Sequence, residues 1–460
     1  MTAATVGRPI PSGFVGMSIE LKALEEYTGT NPAAIDPAFV RLLQDIAPEQ
    51  TPVLRVGGDS TDWSWWPTPH TRRPGGVRYT LTPNWMRVAR ALDTELHAKM
   101  ILGVNLEADN RAIAAAEAHA MVDQIGAGNI EALELGNEPE LYGTFSWYRS
   151  TTGQLIAGRP RGYDERDFIS DYSSLAPTLP DVPLAGPSSG APEWLAQLGA
   201  FLSDEPRVRL ATVHAYPLKH CTKSKVVTSG ELLADASSHG LAELIAPLVT
   251  VAAAHHVPLR IDELNGISCG GTRGVSDTFT SALWVLDTLF ELARVGVGGV
   301  NIHTVPGAIN EILGPQLARG TWQVRVHPEF YGMVMFAQAA PPGSHLLRVS
   351  SKVAPGVKVW ATRTPSGAIH VIVINKRLRG PATLSLRIAS AHGVAIAEQL
   401  LAPGVHATGG VTLGGQSFGS ATTTGALAGA PSRIAISPSG GAYGVRLPAA
   451  SATMLTLPAR

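Results

Sequence analysis

Between residues 14 and 340, short β-rich runs alternate with longer segments of helical period, eight times over. The runs are 14–20, 52–56, 100–105, 130–137, 182–187, 210–216, 258–263 and 298–304. Between them lie helical patterns such as 37–46, 83–96, 111–125, 192–202, 232–255 and 277–294. Apolar runs this short, each separated from the next by a helix, suit parallel strands covered on the outside by helices. Eight of them predict a closed (β/α)8 barrel rather than an open sheet. Two connections are oversized, 140–166 after the fourth strand and 305–327 after the eighth. They carry Tyr142, Trp147, Tyr148 and Trp322, which either shape a substrate entrance or pack the loops onto the barrel.

At about Pro341 the texture changes. The segments 345–350, 357–362, 368–375 and 382–388 alternate apolar and polar residues between Gly/Pro/Ser-rich turns, and no helical period appears through Arg460. This predicts a second unit, an antiparallel β-sandwich over 341–460, after a catalytic barrel over 14–340. A chain of 460 residues is long enough for both.

In the barrel, Asn137-Glu138-Pro139 closes the fourth strand and Arg260-Ile-Asp-Glu-Leu264 closes the seventh. The C-terminal ends of barrel strands are where catalytic side chains sit, and three βα units of about forty residues each separate the two glutamates. Two facing carboxyls are the minimal equipment for cleaving a glycosidic bond, one as proton donor and one as attacking group. Glu138 is assigned the acid/base role, because Asn137 beside it offers an amide to the hydroxyl next to the reacting carbon. Glu263, closing a very apolar strand, is assigned the nucleophile role. If both project into one pocket, a separation of roughly 5 Å and retention of configuration are expected. Tyr216, at the end of the sixth strand, is placed to hold Glu263 in line.

Charge narrows the partners. The balance of 36 Lys+Arg against 37 Asp+Glu, with no basic run, gives no sign of a nucleic-acid or membrane-surface partner. No apolar run is expected to reach the length of a bilayer span, no metal or organic cofactor is implied, and the oligomeric state stays open. The first nine residues lack the hydrophobic core of a signal peptide. Localisation is therefore open between an intracellular protein and one that carried a leader. Cys221 and Cys269 lack metal-type spacing. They follow the sixth and seventh strands, so they are either two separate thiols or a disulfide between neighbouring loops.

Several strings together resemble the heparanase-type β-glucuronidase family of retaining glycosidases. They are Gly136-Asn-Glu-Pro-Glu140, His214-Ala-Tyr216, Glu263 with Gly270-Gly271 and Ser276-Asp-Thr-Phe279, Leu54-Arg-Val-Gly-Gly-Asp-Ser-Thr-Asp62, and Phe14-Val-Gly-Met-Ser-Ile-Glu20. The resemblance implies an exo-acting β-D-glucuronidase with Glu138 as acid/base and Glu263 as nucleophile. It implies that Glu20, Asp59, Asn137, Ser268, Cys269, Gly270, Gly271 and His303 line the sugar site, and that a strand from residues 1–13 completes the sandwich. One departure is visible. The family usually carries a tyrosine five residues after the nucleophile, where this chain has Ser268, followed by Cys269. The glycines still offer N–H donors to an anion; Ser268 donates in the phenol's place, or the loop accepts a neutral sugar such as a glucoside, xyloside or galactoside. Lys219, His220 and Arg325 are further sources of positive charge, or simply solvated loop residues.

Rival readings are a serine esterase and a non-catalytic carbohydrate-binding barrel. Gly186-Pro-Ser-Ser-Gly190 fits a nucleophile elbow, with Asp262 and His303 following in order. Against the esterase, no Gly-rich oxyanion segment precedes it, and Asp262 is expected to alternate away from the side of Glu263. Two intact glutamates argue against a non-catalytic barrel. Gly296-Val-Gly-Gly299 reads as a turn and His255-His256 as a helix end. Trp63, Trp65 and Trp66 read as sugar-site wall or core, and Arg55 as an internal partner for carboxylates at the mouth.

Overall fold

The computed structural model describes residues 4–222, 226–350, 353–389 and 393–458, so the outermost residues of the segments 1–13 and 341–460 lie outside it. Eight parallel strands close into a barrel: β1 (Val15–Glu20), β2 (Val53–Gly57), β3 (Lys99–Val104), β4 (Ile130–Leu135), β5 (Leu184–Ser189), β6 (Val208–Ala215), β7 (Leu259–Leu264) and β8 (Gly299–Thr304), with β8 pairing back onto β1. Each lies within two residues of its expected run. The strands are buried on both faces because helices cover the outside and side chains fill the inside. Near the lower end Val53, Ile101, Ala132, Ala185 and Leu210 form an apolar cluster of their own. Above them the filling turns polar, and this polar layer is the floor of the site described below.

Helix Glu165–Leu175 was not among the expected helices. Its signals were present: a capping box between Asp164 and Asp167, then Phe168, Tyr172 and Leu175 on one buried face. The glycine cluster at 296 behaves as a turn, since Gly296 caps helix Phe279–Val295 at φ 87°. One helical stretch among the described residues, Asp235–Ala254, is long and apolar enough to cross a membrane, with mean hydropathy 1.2. That corrects the expectation that no run reaches this length. Its alanine-rich sequence raises the mean, but Leu241, Ala242, Ile245 and Ala252 face inward as on any barrel helix.

The second unit is an eight-stranded antiparallel sheet layered on a two-stranded one (Ala382–Leu386 with Tyr443–Leu447). Thr5–Val6 adds to the edge of the large sheet by pairing with Leu346 and Leu347. Period-2 alternation explains its docking. On strand Ile369–Asn375, Ile369, Val371 and Val373 join the inter-sheet core, while Ile372 and Ile374 join the core shared with the barrel. The junction is reinforced by charge. Lys376 reaches Asp287 at 2.7 Å with both side chains buried, and Trp360 stacks on Phe290 while donating to Asp287 at 2.9 Å. Removing one member of such a buried pair costs about 3–5 kcal/mol, because it strands the other charge.

Candidate active site

Arg55 on β2 points up the barrel axis with no exposed surface. A buried guanidinium needs carboxylates around it, and five strands supply its partners, β1 and β6 through Ser18 at 3.2 Å and His214 at 3.3 Å and β4, β5 and β7 through the rest. Its Nε donates to Glu134 at 2.7 Å and meets Asp262 at 2.9 Å; Nη1 donates to Glu263 at 2.7 Å; Nη2 donates to Asn137 at 2.9 Å and to Ser188 at 3.2 Å. The expected internal partner of mouth carboxylates is therefore the centre of the site.

Asp262 and Glu263 both contact this one guanidinium. The expectation that they point to opposite sides does not hold. The pairing register between β7 and β8 shifts between Ile261 and Leu264, and a bulge of this kind re-aims a side chain that simple alternation would send away. A second shift, between Val213 and His214, lies where β6 meets β7.

Glu138 sits just past β4 in the left-handed region, at φ 46° and ψ 56°. That conformation is uncommon for a residue with a side chain and is held where the surroundings over-determine it. Here the Glu138 N–H donates to the Ser188 carbonyl at 2.9 Å, and Asp62 clamps the neighbouring backbone. The Asp62 carboxylate accepts from the N–H groups of Leu106, Glu107 and Asn137 at 2.9, 3.0 and 3.0 Å and from the Tyr142 hydroxyl at 2.6 Å. Tyr142 of the long loop is thus a structural prop rather than a sugar platform.

His214 joins the two glutamates. Its Nδ1 lies 3.1 Å from Glu138 and 3.9 Å from Glu263, and its Nε2 lies 3.1 Å from the Ser188 hydroxyl. One carboxyl oxygen of Glu138 and one of Glu263 lie within 4.8 Å of each other. Tyr216 donates to Glu263 at 2.7 Å. Burial alone would raise the pKa of Glu263, but His303, His214, Arg55 and the Tyr216 hydroxyl together hold it well below the usual carboxylate range. Burial works against charge on His214 too, yet Glu263 and its hydrogen bond to Glu138 push it up to about 10. Asp262 is pushed well up by burial and by Glu134 beside it, whereas Arg55 holds Glu134 down.

His214 therefore binds its proton more tightly folded than unfolded. Its contribution to stability is complete below its ordinary pKa of 6.5 and is lost as pH rises through about 10. Chemical denaturation should show stability falling across that window, with a shallower fall in His214→Gln. An equally steep fall in the variant would remove His214 as the cause.

The outer ring holds the remaining expected sugar contacts. Glu20 accepts from the Ser60 N–H at 2.8 Å and lies 3.8 Å from His303, whose Nδ1 meets the Ser18 hydroxyl at 2.9 Å and Glu263 at 3.8 Å. Gly58, at φ 71°, leaves room for Glu20, since a Cβ there would stand 2.6 Å from its Oε1. Asp59 is exposed at the cleft surface and accepts from the Asn137 amide at 3.3 Å. Confinement, then the charges of Glu20, Glu263, Glu138 and Asp62, push its pKa up to about 8.

Ser268, Cys269, Gly270 and Gly271 lie on the loop after β7, and their hydrogen bonds run to neighbouring loops rather than to the carboxyl cluster. The Gly271 N–H, one of the expected anion donors, turns to the Ser268 carbonyl at 3.4 Å. Cys221 and Cys269 are joined as a disulfide. Lys219 and Arg325 are exposed, and His220 is half-buried with Nδ1 sealed from solvent. Trp65 and Trp147 pack together in a small core, whereas Trp63 lies between Lys22 and Arg78.

Sequence reasoning assigned no role to His214 or Asp62, and gave Ser188 one only as nucleophile of the rival esterase. His214 stood inside the quoted His-Ala-Tyr string, and Asp62 closed another. Ser188 is the central residue of the esterase-like motif, but it is fully buried and hydrogen-bonded to Arg55 and His214. A histidine held protonated cannot serve it as a base, and His303 lies with Ser18 and Glu20 instead. Glu138, His214 and Glu263 are spaced closely enough to surround a metal ion. The Arg55 cation on Glu263 and the proton on His214 make them a poor cation site.

No protein-family model matches the chain. It is 22% identical to a β-glucuronidase of Neurospora crassa, over 80% of this chain and 72% of that protein. A shorter match, over 37% of this chain and 28% of the relative, is 30% identical to the inactive heparanase-2 of Mus musculus. Among solved structures, a 4-O-α-L-rhamnosyl-β-D-glucuronidase of Fusarium oxysporum superposes with a TM-score of 0.76 at 20% identity, covering 98% of this chain and 97% of that one. Sequence over four-fifths of the chain, and fold over nearly all of it, place its likeness with the heparanase-type β-glucuronidases, on a glycoside-hydrolase barrel.

Proposed function

We propose that the protein is a retaining glycoside hydrolase that removes β-D-glucuronosyl units from the end of a glycan or glycoside. The single observation that carries this reading is the approach of Glu138 and Glu263 carboxyl oxygens to within 4.8 Å, the short spacing of retaining rather than inverting enzymes. In the first step Glu263 attacks the anomeric carbon as the bond to the leaving oxygen breaks, and Glu138 gives that oxygen its proton. In the second, Glu138 takes a proton from water, the water oxygen bonds to the anomeric carbon, and Glu263 departs. Arg55, Tyr216 and His303 keep Glu263 ionised and in line, while His214 orients Glu138. Asn137, fixed by Arg55 and Asp59, faces the 2-hydroxyl, and Glu20 takes hydroxyls at the far end of the ring. The neutral charge balance fits a glycan partner rather than nucleic acid or a membrane surface.

A neutral sugar is the second reading. It is favoured by Ser268 at the tyrosine position and by the crowd of carboxyls around Asp59, which resists a further anion nearby. A nitrophenyl glycoside panel separates the two. Preference for the glucoside over the glucuronide by more than about tenfold, about 1.4 kcal/mol in barrier, overturns the first choice. For the acid role, Glu138→Ala should cost roughly 10²–10⁴-fold on poor leaving groups and far less on dinitrophenyl glycosides. Equal losses on both classes would exclude it.

A further inference from the structure

The His214 side chain has no exposed surface, and both of its ring nitrogens face polar or charged groups. Nδ1 lies 3.1 Å from Glu138 Oε1, just past β4, and 3.9 Å from Glu263 on β7. Around Nε2 stand the Ser188 hydroxyl of β5 at 3.1 Å, the Arg55 guanidinium of β2 at 3.3 Å and Asp262 of β7 at 3.9 Å. Glu134 on β4 and Glu140 beyond it are close enough for the charge of the ring to hold their carboxyls down.

Two influences compete for this ring. Burial favours the neutral imidazole, and among the groups opposing burial the Glu263 carboxylate is the strongest, ahead of the hydrogen bond to Glu138. In the reaction proposed above, that carboxylate becomes an ester and loses its charge. The ring stays buried beside the Arg55 cation, so the balance then turns against its second proton. Glu138, the group that has just lost a proton to the leaving oxygen, is the hydrogen-bond partner of Nδ1.

We infer that His214 is the proton reservoir of the reaction, giving its Nδ1 proton to Glu138 as Glu263 is glycosylated and recovering it as Glu263 is freed. This rests on the glycosidase reading. In the first step Glu138 Oε2 passes its proton to the leaving oxygen while Oε1 takes the proton from Nδ1. Glu138 stays neutral, and the positive charge lost from His214 matches the negative charge lost from Glu263. In the second step water gives a proton to Oε2, its oxygen bonds to the anomeric carbon, and Oε1 returns its proton to Nδ1. Nε2 keeps its hydrogen throughout, donated to Ser188 Oγ. Neither step leaves an uncompensated charge in the buried cluster, where one would be costly. His214 acts through Glu138 and is a positioning residue for the proton, with no contact to the sugar required.

The test reads the ring nitrogens of the full chain by NMR with isotope-labelled histidine, His214 being identified by the signals that His214→Gln lacks. In the free protein at neutral pH both nitrogens should carry hydrogen. After trapping with a 2-deoxy-2-fluoro-β-D-glucuronosyl fluoride, or its glucosyl counterpart, mass spectrometry should find one sugar on Glu263, and Nδ1 should then be bare with Nε2 still protonated. Glu263→Gln, which removes the same charge without a substrate, should show the same ring state, and it decides where the ester does not accumulate. A second readout is kcat on a glycoside with a poor leaving group in mixtures of light and heavy water. The intact protein should give a curve bowed by two moving protons. His214→Gln should give a straight line, with kcat lowered about 10²-fold and KM held within about threefold. A histidine that only orients Glu138 would lower kcat and leave the curvature alone. That result, a neutral ring in the free protein, or a doubly protonated ring in the ester or in Glu263→Gln overturns the inference while leaving the hydrolase standing. Absence of turnover of any glycoside overturns the hydrolase itself, and the inference with it. If His214→Gln does not fold, Ser188→Ala, which removes only a partner of Nε2, identifies the ring signals.

Discussion

Glu263→Ala is expected to lower turnover of an aryl β-glucuronide by roughly 10⁴-fold or more, because it removes the carboxylate proposed to attack the anomeric carbon. Neighbouring Asp262 is a poor substitute, since burial and Glu134 raise its pKa and it is held against Arg55. The same variant offers a positive signature. Removing the carboxylate leaves a space next to the Tyr216 hydroxyl, which donates to Glu263 at 2.7 Å in the intact protein. Azide in that space attacks from the vacated face, and Glu138 still protonates the leaving group. Activity should return in part with the α-glycosyl azide as product, identified by its anomeric proton coupling. Near-wild-type turnover, or a β-configured azide product, would falsify the nucleophile assignment.

Arg55→Met should be the most damaging change to stability and also cut turnover. The methionine fills much of the volume but leaves Glu134, Asp262 and Glu263 together without their cation. Breaking a buried ion pair from one side costs about 3–5 kcal/mol; here one guanidinium reaches three carboxyls at 2.7, 2.9 and 2.7 Å. Without it Glu263 should bind a proton more readily, so kcat/KM should fall by at least about 10²-fold, with its acid limb moved to higher pH. Arg55→Lys should rescue little, because one ammonium cannot replace a fork that also reaches Asn137 and Ser188. Denaturant titration and a pH–rate profile decide it. A stable variant with an unmoved acid limb would mean that Arg55 neither anchors the barrel mouth nor tunes the nucleophile.

The two ionic clusters differ in consequence. The pair at the sandwich junction, Lys376 with Asp287, joins two cores and touches no site residue. The Arg55 cluster joins strands to one another and to the reacting carboxyls, so the same kind of substitution there reaches chemistry as well as stability.

Much of this was legible in the chain. The strand runs, the glutamates at two strand ends and the alternation of 368–375 follow from local period, because an apolar face must repeat every second residue in a strand and about every 3.6 in a helix. Helix Glu165–Leu175 was equally local, with its capping box in plain view just where the long connection 140–166 ends.

What the amino-acid order determined alone was the kind and sequence of elements, the placing of Glu138 and Glu263 at the mouth, and the likeness carried by the strings around them. The three-dimensional arrangement decided which groups share charge and protons. Asp262 turned inward because the register shifts beside it, His214 came to bridge the glutamates, and Arg55 met Glu263 across 208 positions of chain. Local period has no information about such encounters, since they arise only when strands distant in sequence pair at a particular register and the barrel closes.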